Sequence, residues 1–419
     1  MSPVRSRFGL FAHAAFTVYW SGGLFSNIGT WLQNVAGSVF VYDRTGSALA
    51  VGILNFAAFA PMLLFSVTGG VISDRFDRRV VVVVTHVVSL VVGATLAFLT
   101  LAGTVNELHV IVTAFLLQTS WTIAKPSSSA MLPALVPRAQ LREAVGLNTL
   151  QFMIAQLVGP LLATLVLATS GYGWAFSINA ATFVGPIVAM LYLAARGLGG
   201  RDARSAAETA ASHATSIVAY VRSQPWIASV LVGVVSTSAV LEVIRTLSPA
   251  LVTTRLGAPS SESGLIVSSA SVGMVLGIFA SVPLGRRGHS RGMAAAGLVC
   301  QCAGLLLLSV ATDVPVAGLA VALVGFGFSF CFPVLTGTLQ TEVPDAVRGR
   351  LLAFHQMAHL GNRPFAALAA GAVAASFGVT AACLGAMVLA PIGLLAVRAA
   401  WRGLDRQTEP VAAMARTSV

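Results

Sequence analysis

The chain has 419 residues, of which 56% are hydrophobic and only 9% are charged, and its mean hydropathy is +0.86. Since soluble domains carry roughly 25% charged residues, this composition excludes a soluble protein and predicts a helical membrane protein. The net charge of +11 does not indicate a nucleic-acid-binding protein, because the arginines lie in short clusters between apolar runs and not along one basic face.

Apolar windows long enough to cross a bilayer follow one another along the whole chain. They lie at 16–42, 48–72, 80–103, 108–132, 144–169, 173–195, 226–252, 263–285, 292–311, 315–340, 350–377 and 379–400. The pattern predicts an all-α membrane protein with 12 transmembrane helices in two six-helix halves. The expected parts are an N-terminal bundle at 1–195, a cytoplasmic linker at 196–224, a C-terminal bundle at 225–402 and a cytoplasmic tail at 403–419.

The arginines outside the windows fall almost entirely on one side of the predicted spans. With the N-terminus in the cytoplasm, Arg44 and Arg255 lie in outer segments, and the inner segments hold the large majority. Because cytoplasmic loops carry an excess of basic residues, we expect both termini in the cytoplasm.

The two halves repeat short landmarks at nearly one offset. Arg44-Thr45-Gly46 closes the first window and Arg255-Leu256-Gly257 closes the seventh, while Val-Pro pairs at 136–137 and 343–344 precede windows five and eleven. Since both halves begin on the same side, the repeat is parallel, which is typical of transporters that rock two halves around a central site.

The loop after the second window carries a specific motif, Gly70-Val71-Ile72-Ser73-Asp74-Arg75-Phe76-Asp77-Arg78-Arg79. This motif resembles the signature between helices two and three of the major facilitator superfamily. Trp20-Ser21-Gly22, the stretch 26–33 and Thr45-Gly46-Ser47-Ala48 resemble the bacterial drug- and siderophore-exporting branch, which includes the enterobactin exporter and macrolide efflux proteins. The resemblance covers nearly the whole chain and implies the two-bundle fold of that superfamily.

The resemblance also implies a gating role for this loop. The residues of the gate motif are Gly70, Asp74, Arg75, Asp77, Arg78 and Arg79. Asp74 lies near the negative end of its own helix dipole, so we expect it to interact with an arginine or with the N-terminus of another helix. Gly70 is expected to let two helices approach closely. The alternative is a solvated loop that only sets topology.

Gly159-Pro160 in the fifth window partly resembles an element of antiporters in this superfamily. The family pattern has a glycine four residues earlier and a glycine pair shortly after, where this chain has Ala155 and Ala163-Thr164. The direction of transport therefore does not rest on this element, and a proline that merely kinks a helix is the alternative.

Ionisable residues inside the windows are costly in a bilayer and therefore indicate function. Glu242 and Arg245 are three residues apart on one helix face and can pair, and His355, His359 and Arg363 are spaced by four in the eleventh window. We expect Glu242 to carry a coupling proton, with either histidine as another candidate carrier. The alternatives are a permanent ion pair in the seventh helix and a hydrated position for His355 near the inner surface.

Polar side chains also follow one face of the first and the fourth windows. They are Asn27, Trp31 and Asn34 in the first window and Gln118, Thr122 and Lys125 in the fourth. The resemblance implies that helices one, four, seven and ten line the central cavity, so these residues are expected to face substrate. The alternatives are hydrogen bonding between helices for the first window, and extension of the Lys125 side chain to the inner surface.

The sequence predicts a secondary transporter and not an enzyme, because it contains no nucleotide-binding Gly-Lys-Ser/Thr loop and no metal-ligand spacing. We expect no cofactor and no metal. The predicted protein is a monomer in a bacterial inner membrane that exports an amphipathic drug, antibiotic or siderophore-like product by proton antiport with alternating access. Its expected partners are this substrate, protons and membrane lipids, and not nucleic acid. One alternative is an importer or lipid flippase on the same fold. Another is a non-transporting sensor or scaffold, but such a protein would not need the embedded Glu242, Arg245 and Arg363.

Overall fold

The computed structural model describes residues 9–200, 217–286 and 290–417. All regular structure in these ranges is helical, and no strand occurs in them. The predicted all-α class is therefore confirmed. Residues 201–216, at the centre of the predicted linker, lie outside the described residues, as do residues 287–289 of the basic loop before the ninth window.

The first six apolar windows form seven helices, because the sixth window is interrupted at Phe183. The helices are α1 Ala14–Thr45, α2 Ala48–Arg75, α3 Arg78–Leu101, α4 Glu107–Met131, α5 Leu141–Thr169, α6 Gly171–Thr182 and α7 Val184–Ala195. Local chemistry sets their ends. Gly46 ends α1 with a left-handed φ of 63°, and the Ser47 hydroxyl accepts the Ala50 amide hydrogen at the start of α2.

The second half of the chain forms nine helices in the described ranges. They are α8 Ile217–Ser223, α9 Pro225–Thr254, α10 Ser263–Arg286, α11 Ser290–Val310, α12 Val314–Glu342, α13 Asp345–Gly361, α14 Arg363–Phe377, α15 Val379–Ala386 and α16 Leu389–Thr417. The eleventh and twelfth windows are thus each divided into two helices, the eleventh at Asn362.

Nine helical segments of the described chain are long and apolar enough to cross a membrane. They correspond to windows two, three, five to ten and twelve. The remaining windows also form helices, namely α1, α4 and the α13–α14 pair, and these carry the embedded polar residues of windows one, four and eleven. A multi-span helical membrane protein is confirmed, whereas the count of twelve spans and the cytoplasmic termini stay predictions.

The chain divides into two compact units. One comprises Met1–Ser212 with Pro259–Ser268, and the other comprises His213–Ala258 with Ser269–Val419. Each unit has its own apolar core: side chains such as Phe16 and Leu193 pack in the N-terminal unit, and Trp226, Leu298 and Leu335 pack in the C-terminal unit. The domain boundaries given above stay predictions.

Glycines bring helices into close contact within each unit. A Cβ on Gly22 of α1 would lie 2.9 Å from the carbonyl oxygen of Gly185 in α7. In the C-terminal unit, Gly297 of α11 and Gly327 of α12 face each other's backbone in the same way. Because the bilayer supplies little hydrophobic driving force between helices, such close packing of small residues stabilises membrane bundles.

Candidate functional site

The ionisable residues predicted for proton coupling come together in the C-terminal unit. Arg245 lies one turn after Glu242 on α9, with its Nη1 3.6 Å from Glu242 Oε2. Arg363 is the first residue of α14, and its Nε lies 3.9 Å from the same oxygen. The side chains are 1% exposed for Glu242, 10% for Arg245 and 14% for Arg363. One buried carboxylate therefore lies beside two largely buried guanidinium groups.

The break between α13 and α14 holds Arg363 in this position. Pro364 has no amide hydrogen, which interrupts the backbone hydrogen bonds of the helix. The Asn362 side-chain amide donates instead to the carbonyl oxygens of Ala358 at 2.6 Å and His359 at 2.9 Å. The same amide donates to Ser238 Oγ at 2.8 Å, one turn before Glu242 on α9. Asn362 therefore fastens the break to the helix that carries the carboxylate.

The two predicted histidines lie on α13 among aromatic side chains of α12. His355 Nε2 lies 3.2 Å from Thr336 Oγ1, and the side chain is buried, so the alternative of a hydrated position for His355 is not supported. The His359 ring centroid lies 4.5 Å from that of Phe332 and 5.9 Å from that of Phe328. Both histidines thus lie against aromatic rings, and His359 is also close enough to Arg363 and Arg245 to interact with their charges.

A separate polar cavity lies inside the N-terminal unit. Its volume is about 740 Å³, including the space open to solvent. The polar residues that line it are Ser26, Thr30, Gln33, Asn34, Asn55, Thr85, His86, Ser89, Gln118, Ser120, Trp121 and Asn179. They come from α1, α2, α3, α4 and α6, so five helices of one unit build this wall.

Several of these polar groups are satisfied inside the protein. The Thr85 hydroxyl donates to the Val81 carbonyl at 2.8 Å, and the Ser89 hydroxyl donates to the Thr85 carbonyl at 2.9 Å. Asn179 Nδ2 donates to Gln33 Oε1, which joins α6 to α1. These contacts hold the wall of the cavity in place without a ligand.

Comparison with known proteins identifies the family. A family model of transmembrane secretion effectors matches residues 5–417. The chain belongs to this family. The multidrug efflux pump Tap of Mycolicibacterium fortuitum is 24% identical over 397 residues, which cover 92% of this chain and 96% of Tap. The enterobactin exporter EntS of Citrobacter koseri is 26% identical over 392 residues, which cover 91% of each chain.

The chain is also similar to part of another transporter and to a solved transporter structure. The staphyloferrin A transporter of Staphylococcus aureus is 29% identical over 151 residues, and the matched part of this chain spans only 38% of that transporter's length. The crystal structure of a bacterial homologue of the human lysosomal transporter Spinster has a TM-score of 0.74 at 12% identity, covering 96% of this chain and 98% of that one. The structural match shows the fold, and the sequence matches confirm the exporter branch of the major facilitator superfamily.

The cavity of this secretion effector contains two of the six residues predicted to face substrate, Asn34 and Gln118. Asn27 Nδ2 instead donates to Gln151 Oε1 of α5 at 3.3 Å, as the alternative of hydrogen bonding between helices predicts. Trp31 is buried, with its ring centroid 6.0 Å from that of Phe152.

The two remaining predicted substrate residues lie on α4 but not on the cavity wall. Thr122 is buried, and its backbone carbonyl lies against Gly69 of α2. Lys125 is exposed, and its Nζ lies 5.5 Å above the centre of the Trp121 ring. The expectation that all six residues share one cavity is therefore corrected. Helical spacing places residues on a face but does not say which part of that face a neighbouring helix covers.

Sequence reasoning missed most of the cavity wall. His86 has the clearest signal, because Thr85-His86 and Ser89 interrupt a valine-rich run in α3. Asn179 of α6 carries a weaker signal, since it is a single amide in an apolar window. These side chains were detectable as polar residues inside spans, but their convergence depends on the packing of α6 against both α1 and α3.

Two residues of the gate motif form a local ion pair in this secretion effector. Asp77 caps the N-terminus of α3 by accepting the Arg79 amide hydrogen at 2.9 Å. Its Oδ2 also lies 2.8 Å from Arg79 Nη2, and this hydrogen bond lowers the pKa of the Asp77 carboxyl. Arg78 Nη1 donates to the carbonyl oxygen of Ala130 at 3.2 Å, at the end of α4. The basic end of α3 is thus ordered by contacts within the N-terminal unit.

The other gate residues lie on the surface at the end of α2. Asp74 and Arg75 are exposed. A Cβ added to Gly70 would meet no atom within 4 Å in the described chain, so the expectation of a close helix approach at Gly70 is wrong. The close approach occurs one residue earlier, where a Cβ on Gly69 would lie 2.8 Å from the Thr122 carbonyl oxygen.

The Gly159-Pro160 element lies inside α5, which continues through it. A Cβ on Gly159 would lie 2.5 Å from Trp31 Cβ and 2.8 Å from the Ile28 carbonyl oxygen. The element therefore allows α5 to contact α1 closely, and a role in antiport stays a prediction.

Proposed function

We propose that this secretion effector exports an amphipathic small molecule in exchange for protons, with Glu242 as the group that carries the proton. The observation that supports this proposal most strongly is the position of the one carboxylate beside two guanidinium groups. Glu242 Oε2 lies within 3.9 Å of both Arg245 and Arg363, inside a membrane unit where ionisable groups are costly.

Protonation of Glu242 changes the charge of this cluster by one. With the carboxylate ionised, the two arginines and Glu242 carry a formal charge of +1. When Glu242 accepts a proton from water, the cluster carries +2 and the carboxyl group no longer attracts either guanidinium. Release of the proton restores both ion pairs. The cluster thus has two charge states with different internal forces, which a coupled transporter requires.

Charged and titratable groups on three helices lie near this carboxylate. Arg245 of α9 and Arg363 of α14 face Glu242. His359 of α13 interacts with both arginines and with His355 on the same helix. For antiport, the proton loads when the cluster is open to the outside and leaves when it is open to the inside. A permanent ion pair would keep its charge through this cycle.

Export is the direction supported by two relatives, which are named as an efflux pump and an enterobactin exporter. A third relative is named as a staphyloferrin A transporter. Their cargoes suggest drug-like and siderophore-like molecules as the substrates to be tested. We place the protein in a bacterial inner membrane as a monomer with 12 spans and cytoplasmic termini. The arginine bias supports this orientation.

We further propose that Asp74 contributes to the inner gate. Asp74→Asn should then reduce transport while the protein stays folded and inserted. Transport at the wild-type rate with equal expression would reduce Asp74 to a solvated residue of the loop.

The decisive experiment compares gradient-driven transport with exchange. Wild-type protein and Glu242→Gln are reconstituted in liposomes, and a macrolide, enterobactin and staphyloferrin A are tested as cargo. Glutamine keeps the size and hydrogen bonding of the side chain but cannot bind a proton reversibly. We expect Glu242→Gln to abolish accumulation driven by an imposed pH gradient and to preserve cargo exchange without a gradient.

Asp405→Asn is the matched control, because it removes an exposed carboxylate that pairs with Arg291 in the same unit. This control should accumulate cargo at the wild-type rate. Gradient-driven accumulation at the native rate in Glu242→Gln would show that Glu242 is not the coupling site and would favour the permanent ion pair.

A further inference from the structure

The cavity of the N-terminal unit exposes polar atoms that the protein does not use for itself. Asn34 on α1 and Gln118 on α4 both line it. Among residues 9–200, neither side-chain amide makes a hydrogen bond, and the same holds for the indole N–H of Trp121. Each amide offers two donor hydrogens and an acceptor oxygen, and the indole offers one donor.

One more residue adds an acceptor to this wall. His86 Nδ1 lies 2.7 Å from the Val82 carbonyl oxygen, so Nδ1 of the neutral ring carries the hydrogen and Nε2 is left as an acceptor. Asn34 is exposed, and Gln118 and His86 are half-buried, so these residues are accessible from the cavity. Their unused donors and acceptors are therefore available to a hydrogen-bonding guest.

The charge of the wall limits what this guest can be. None of the residues that line the cavity in the described chain is an aspartate, glutamate, lysine or arginine. His86 is the titratable group among them, and the nearby ammonium of Lys125 lies over Trp121 on an exposed part of α4. A charged guest would lose its hydration without gaining an opposite charge from the wall. Trp121 and Phe183 add aromatic surface for an apolar face of the guest.

We propose that this cavity binds an uncharged, hydroxyl-bearing part of the substrate, such as a sugar ring. Hydroxyl groups donate and accept, which matches the amides of Asn34 and Gln118, and the carbon face of the ring packs against Trp121. The assignment rests on the proposed export function only in treating this guest as cargo. Under this proposal the N-terminal unit recognises the substrate, and Glu242 in the C-terminal unit binds and releases the proton.

The test uses three probes that differ only at carbon 6 of one sugar. They are 4-nitrophenyl β-D-glucoside, the corresponding glucuronide and the corresponding 6-amino-6-deoxyglucoside, which are neutral, anionic and cationic at pH 7.5. Binding to the purified protein in lipid nanodiscs is measured by equilibrium dialysis. We expect the neutral glucoside to bind at least about tenfold more tightly than either charged probe, because the wall offers no counter-charge.

Variants of Gln118 connect the binding to this cavity. Gln118→Leu should weaken glucoside binding about tenfold, as expected when one partner of a hydrogen bond is lost. Gln118→Glu should reverse the order and favour the amino probe, a gain that misfolding does not produce. Thr95→Val is the control, since Thr95 is an exposed residue of α3 whose hydroxyl bonds to its own helix.

Equal binding of the three probes would overturn the proposal, as would an unchanged order in Gln118→Glu. Failure of the glucoside to bind to folded protein would show that the cavity holds only water and would overturn it too. Dialysis uses no proton gradient, so the failure of proton antiport would leave this result intact. Conversely, loss of glucoside binding would not affect the role proposed for Glu242.

Discussion

Replacing Glu242 with glutamine should destabilise the C-terminal unit. The substitution keeps the size of the side chain but removes the negative charge 3.6 Å from Arg245 Nη1 and 3.9 Å from Arg363 Nε. The formal charge of the buried cluster then rises from +1 to +2. Since removing one partner of a buried ion pair costs about 3–5 kcal/mol, we expect the free energy of unfolding to fall by about that amount.

The two distances also predict how the loss of stability divides between the Glu242–Arg245 and Glu242–Arg363 ion pairs. Coulomb attraction varies as the inverse of distance, so the two ion pairs should differ in strength by only about one tenth at equal dielectric constant. Double-mutant cycles of Glu242→Gln with Arg245→Gln and with Arg363→Gln should therefore give similar coupling energies, each about 1–3 kcal/mol. In each double variant the cluster returns to a formal charge of +1, so part of the stability should return.

The assay is equilibrium unfolding in mixed micelles at pH 7.5, with Asp405→Asn as the control. The Asp405–Arg291 pair is exposed, and such pairs contribute up to about 1 kcal/mol. Stability of Glu242→Gln within about 0.5 kcal/mol of wild type would refute the reasoning, because it would mean that the resting carboxyl group is already neutral. Coupling to only one arginine would contradict the shared position of Oε2.

Three further predictions test the fold and the orientation. Gly159→Ala should lower the free energy of unfolding by about 1–3 kcal/mol, because the added Cβ overpacks α5 against α1. Gly146→Ala is the control on the same helix and should not destabilise the protein, because a Cβ there meets nothing within 4 Å. Equal effects of the two substitutions would contradict the close contact of α5 with α1. Asp77→Ala should cost about 1–2 kcal/mol at pH 7 through the lost cap and ion pair. The pKa of Asp77 is lowered in the folded state, so its contribution to stability is present above about pH 4 and is lost at lower pH. The difference in unfolding free energy between wild type and Asp77→Ala should therefore narrow below about pH 4. A difference that does not change with pH would contradict this role. On a background without native cysteines, Thr104→Cys should react with an impermeant maleimide from outside intact cells. Gly200→Cys should react only after the cells are permeabilised. The reverse pattern would refute the orientation with cytoplasmic termini.

The helices were predictable because long apolar runs leave few alternatives for the backbone in a membrane. Arg255 and Gly46, which close the seventh and first windows, lie at or just after the ends of α9 and α1. The Glu242–Arg245 pair was also predictable, since residues three apart on a helix are neighbours. Their close approach in the structure follows from this local geometry.

The contacts between distant helices were not predictable in the same way. Arg363 comes close to Glu242 at a helix break, where Asn362 donates a hydrogen bond to Ser238 of α9. The cavity wall depends likewise on the pairing of Asn179 with Gln33. Lys125 shares a helix face with Gln118, yet its side chain is exposed beside Trp121. Periodicity identifies a polar face, but neighbouring helices decide which of its residues meet.

Proton movement driven by cargo tests the proposed exchange most directly. Liposomes with wild-type protein enclose a pH-sensitive dye, and a cargo shown to be transported is added outside with no imposed gradient and with the membrane potential clamped. Antiport at Glu242 predicts that protons leave the lumen as cargo enters, and that Glu242→Gln moves cargo with no change of luminal pH. Proton entry together with cargo, or an unchanged proton signal in Glu242→Gln, would contradict the account.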